Sequence, residues 1–183
     1  MFRFQNTVPK CVKDVNLFKS YVTLSGTLLM IFVQGKRPLN SYMSYIEKKN
    51  TMKGFNSNIE QDTLKNENFR KVLYTSKHLQ LVLMTLKKGE EIGEEVHTGI
   101  DQFFRFESGK GKCIIDGNEY SVSDGDVIIV PAGSRHNVIN TDAHEALRMY
   151  TIYAPPHHQD GLINETKNDA EKYDVEFDGK TTE

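Results

Sequence analysis

The chain has 183 residues, 38% of them hydrophobic and 26% charged, and a formal net charge of −2. That length suits one domain with appendages and a sizeable core, while the charge balance gives no electrostatic case for nucleic acid or an anionic membrane as partner. Its two cysteines, Cys11 and Cys113, lie far apart without CxxC spacing, which argues against a disulfide framework and for a reducing, cytoplasmic compartment.

Composition divides the chain into three stretches. Residues 1–51 are irregular, and their one apolar run, Leu28 to Val33, is too short for the ~20 residues that span a bilayer. Arg3, Lys10, Lys13 and Lys19 precede that run, so a signal segment has to be weighed; the long basic stretch and the missing A-x-A site count against it. A packed strand or an accessory, poorly ordered extension is the expectation. The compact domain is expected over 52–163, with its core at 69–154, because Met52 opens MKGFNSNIEQDTL like a natural start.

From about residue 69 the chain reads as strand after strand, separated by turn signals. The expected strands are Arg70–Thr75, Leu79–Leu86, Gln102–Glu107, Gly111–Asp116, Glu119–Ser123, Val127–Val130, His136–Asn140 and Leu147–Tyr153, rich in Val, Ile, Phe and Tyr. Asp116-Gly117-Asn118 signals a hairpin, and Ser123-Asp124-Gly125 and Ala132-Gly133 supply further turns. No stretch here carries a 3.6-residue apolar period, so an all-β sandwich or small barrel is expected. Lys167–Tyr173 reads as a short helix. From Glu165 to Glu183 acids outnumber bases seven to three, which predicts that 164–183 is an acidic, solvated tail.

Two segments carry the chemistry. In the first, five residues separate Gly89 from Glu95, one separates Glu95 from His97, four lead to Gln102 and six more to Gly109. In the second, five residues separate Gly125 from Pro131, one leads to Gly133, two to His136 and three to Asn140. Residues two apart on a strand share a face, so Glu95 and His97 can point at one centre.

These spacings resemble the two motifs of the cupin superfamily, over roughly residues 69–154. The second motif matches at every marked position. In the first, Glu95 stands where the usual pattern has a histidine, and Gln102 where it has a glutamate. The resemblance implies a double-stranded β-helix or jelly-roll barrel with one metal in its mouth, held by Glu95, His97, Gln102 and His136. Two imidazoles and a carboxylate with open positions suit Fe(II) and also accept Mn, Ni, Co or Zn. A neutral Gln102 lowers the negative charge of the site by one and leaves more Lewis acidity at the metal.

Around that centre, Phe104 and Phe106 share a face with Gln102 and read first as core; Phe104 is also a substrate-facing candidate. Tyr150 and Tyr153 fall on opposite faces of the last strand, so at most one reaches the pocket, and Tyr150 is the candidate taken. Asn140 is expected to cap a turn, Cys113 to pack in the barrel, and His157 and His158 to sit in a surface loop. The closing YTIYAPPHH segment is similar to stand-alone cupins labelled mannose-6-phosphate isomerase-like. What that implies is metal-assisted isomerisation or epimerisation of a small, sugar-like substrate, with Glu95 moving a proton. The alternatives are a metal-dependent dioxygenase and a non-enzymatic small-ligand module, dimeric by strand exchange. No lysine or arginine cluster is expected inside the barrel.

Overall fold

The structure is a computed structural model that describes residues 19–24, 27–32, 52–173 and 175–183, the first two ranges by backbone alone. Two compact units divide the chain, Met1–Thr51 and Met52–Glu183. In the first, strands β1 (Lys19–Leu24) and β2 (Thr27–Phe32) pair antiparallel. The remainder of the expected extension, including the basic stretch before Lys19, lies outside the described residues.

The second unit opens with helix α1 (Ile59–Lys65), whose N-terminus is capped by the Asn58 side chain accepting from the Gln61 N–H at 3.1 Å. The sequence reading did not anticipate this helix. Ten strands follow: β3 (Arg70–Thr75), β4 (Gln80–Leu86), β5 (Glu95–Val96), β6 (Asp101–Ser108), β7 (Lys110–Ile115), β8 (Asn118–Ser123), β9 (Val127–Val130), β10 (Arg135–Asn140), β11 (Leu147–Ala154) and β12 (Ile163–Asn164). Helix α2 (Lys167–Lys172) closes the series behind a Thr166–Asp169 capping box.

All eight expected strands are present, each within one residue of its expected ends. The β7–β8 hairpin turns on Asp116 and Gly117, both at positive φ, the geometry that an Asp-Gly pair permits. The strands form two antiparallel sheets, β5-β10-β7-β8 and β12-β3-β4-β11-β6-β9, rolled into a jelly-roll barrel. Alternation sends Val82, Met84, Phe104, Phe106, Val138, Leu147 and Met149 into the interior, where they form the core with Cys113.

Most of residues 164–183 are exposed, and the segment is also tied to the barrel. Asn164 pairs with Arg70, Ala170 is buried, and the Thr75 N–H donates to Thr182 Oγ1 at 2.8 Å. The acidic composition describes the outer face of a segment whose backbone is tied to the barrel. Among the described residues no helix is long and apolar enough to cross a membrane.

Candidate metal centre

The site forms where β5 and β10 of the smaller sheet meet the inward faces of β6 and β11. Glu95 and His136 are direct cross-strand partners in the β5–β10 pair, which sets their side chains side by side. β5 ends at Val96, so His97 follows the strand rather than lying within it, yet it returns to the same centre. Candidate ligand atoms of Glu95, His97 and His136 all lie within 4.8 Å of one another, a spacing that would hold a metal ion.

Two buried acceptors on the inward faces of β10 and β6 lack partners among the described residues. His136 Nδ1 lies 3.3 Å from the Ser134 carbonyl oxygen; with Nδ1–H donating there, the lone pair belongs to Nε2. Nε2 is buried and has no hydrogen-bond partner among the described residues. Gln102 is 1% exposed, and its Nε2 donates to Thr151 Oγ1 at 3.1 Å. Its Oε1 is likewise buried without a partner among the described residues. Buried acceptors left this way carry a desolvation cost of roughly 1–3 kcal/mol each. A cation removes it.

Electrostatics favour the ligand-ready forms. Burial opposes ionisation of Glu95, but the His97 hydrogen bond and the charges of Arg70, His97 and His136 outweigh it, so the carboxyl titrates below its usual value. Burial is also the largest influence on His136 and pushes its imidazole below the ordinary histidine value, towards the neutral form that binds metals. Glu95 divides its oxygens: Oε2 lies 3.2 Å from His97 Nε2, and Oε1 lies 3.7 Å from Arg70 Nη2. Arg70 opens β3 in an inward, buried position that the sequence reading passed over.

Several expectations are corrected around this centre. Tyr150 lies on the outer face of β11, its ring 6.2 Å from Phe103, and so points away from the site. Tyr153, in the opposite phase, is buried with its ring edge-on to His97 at 5.7 Å. Phe104 belongs to the core beneath His136, with ring centroids 6.3 Å apart. His157 and His158 do not sit in a free surface loop. The N–H groups of both donate to Gln80 Oε1, at 3.3 and 2.9 Å, and Gln80 Nε2 donates to the His158 carbonyl at 2.6 Å. His158 is thereby buried, and the His157 ring sits 4.4 Å from that of His97. The signal for this was Gln80 itself, a polar side chain in an inward strand position that needs partners. A cleft of about 370 Å³ opens beside His97 and His157.

Residues 82–153 match the family model described as the cupin domain. Uncharacterized protein YrkC of Bacillus subtilis (strain 168) is 45% identical over 124 residues, 64% of this chain and 66% of that relative. Uncharacterized protein L612 of Acanthamoeba polyphaga mimivirus is 40% identical over 110 residues, 58% of this chain and 69% of that relative. The chain thus spans about two thirds of the length of these curated relatives. The crystal structure of BH2720 from Bacillus halodurans superposes with a TM-score of 0.65 at 40% identity, over 68% of this chain and 98% of that one. This chain belongs to the cupin family.

Proposed function

We propose that the protein is a metal-binding cupin that holds one divalent transition ion and offers it to a small polar ligand. Glu95, His97 and His136 are the principal ligands, and Gln102 is the fourth donor through Oε1. The observation that carries this reading is the Glu95–His97–His136 cluster, whose ligand atoms lie within 4.8 Å of one another while the buried His136 Nε2 has no hydrogen-bond partner among the described residues. Mn, Fe, Co, Ni and Zn all suit such a donor set. A bound ion would polarise a carbonyl or hydroxyl oxygen of the ligand.

The chain's own part is to exclude water with Phe104 and Tyr153, to fix the His136 tautomer through Ser134, and to hold Glu95 ionised between His97 and Arg70. If a proton moves, Glu95 is the group placed to carry it. Neither the isomerase nor the dioxygenase chemistry expected from the sequence gains support from the geometry or the relatives.

Chelator-treated protein titrated in turn with Mn, Fe(II), Co, Ni and Zn tests the reading. For at least one ion, free metal at 100 times its Kd stabilises the native state by ~2.7 kcal/mol, which raises Tm by roughly 10 °C. His136→Ala abolishes the shift. If none of the five ions moves Tm, the metal centre is wrong.

A further inference from the structure

The cleft beside His97 has a chemical character of its own. Apolar walls come from Ile100, Pro156 and Phe177, and polar contacts from Thr98, His157 and Glu176. Glu176, itself exposed, is the one acidic or basic (Asp, Glu, Lys or Arg) residue among the described residues that line it. The wall bearing Glu176 and Phe177 is tied to the barrel by backbone contacts. The Phe177 N–H donates to the His157 carbonyl at 2.8 Å, the Gln159 N–H donates to the Val175 carbonyl at 3.0 Å, and His158 bridges Glu176. The Gln80 clamp on His157 and His158 carries that connection through to β4.

A ligand entering here places its body between a proline, an isoleucine and an aromatic ring, and its head group near a carboxylate. An anionic head meets Glu176 as a like charge. A cationic head gains from the carboxylate. A volume of about 370 Å³ admits a molecule of about ten heavy atoms with room for water.

We propose that this cleft is a ligand site selecting small amphipathic amines over carboxylates of the same shape, through Glu176. That the ligand also meets the metal rests on the reading above, because His97 is common to both. The charge preference does not depend on it.

The experiment is an amide-shift titration by NMR of the full chain, chelator-treated, at pH 7.5, with benzylamine, benzyl alcohol and benzoate. The three share one body and differ in charge. Benzylamine is expected to bind about tenfold more tightly than benzoate, as suits an exposed carboxylate, with shifts centred on Thr98 and Phe177. Glu176→Gln removes most of that ratio and leaves benzyl alcohol unchanged, and Glu176→Lys inverts it. Equal or tighter binding of benzoate to the native chain, a ranking untouched by Glu176→Lys, or no binding of any of the three would overturn the proposal. The titration contains no metal, so its failure leaves the metal centre standing, and a chain that binds no metal would still show the ranking.

Discussion

Glu95 stands between two partners, the His97 ring on one oxygen and the Arg70 guanidinium on the other, and these rather than its solvation keep it charged. Cys113 shows the opposite case, a group buried with nothing to favour its ion. Burial pushes its thiol up to about 11 from 9.0, so the fold favours the neutral form. Its contribution to stability is whole below pH 9 and is lost as pH rises through 11. The loss comes to roughly 2–3 kcal/mol. Denaturant unfolding at pH 8, 9.5 and 11 checks this: Cys113→Ala should flatten the decline, and parallel curves for the two proteins would contradict it. At this scale the sequence disclosed identity and spacing but not phase. Glu95, His97 and His136 were legible from the spacing of the two motifs, whose strands β5 and β10 then pair so that Glu95 sits opposite His136. The choice of Tyr150 over Tyr153 failed because nothing local says which face of the last strand looks inward, and Gln102, its register partner opposite Tyr153, was the clue that decides it.

Among the elements, the strands were legible because β-branched and aromatic runs between Gly, Asp and Pro turns leave little else. β5 and β12, two residues each, are too short to carry a pattern, and α1 at seven residues has too few turns for a 3.6-residue period to show. Gly109 marks where a motif position is steric. Its φ is +82°, and a Cβ there would sit 2.5 Å from the Ala146 carbonyl oxygen. The least legible element was the segment after β11, because its position depends on Gln80, seventy-seven residues before His157. Gln80→Ala leaves three backbone groups without their partner and should destabilise the protein by about 2–4 kcal/mol. Hydrogen exchange should then quicken at the His157 and His158 amides well before the β4 and β11 amides. Unchanged protection at those two amides would show that Gln80 is not the clamp.

For the whole molecule, two facing sheets bring segments forty residues apart into one barrel mouth, with the acceptors of β6 and β10 turned inward. An all-β sandwich or small barrel could be inferred from strand number and turn spacing, and the jelly roll from the resemblance of the two motifs, whereas the attachment of residues 164–183 to the barrel could not, since their polarity reads as tail. Residues 52–183 contain the barrel, the site and that segment, so this fragment should fold cooperatively and take up metal as the full chain does. An insoluble fragment, or one with metal affinity more than about tenfold weaker, would mean that residues 1–51 complete the site.

Elemental analysis of the purified chain beside its His97→Ala and His136→Ala forms tests the metal centre most directly. The native chain should carry about one transition-metal ion, and each variant less than roughly a tenth of that, because each loses a ligand from a single site. Equal metal in all three proteins, or none in the native chain after reconstitution with Mn, Fe, Co, Ni and Zn, would contradict it.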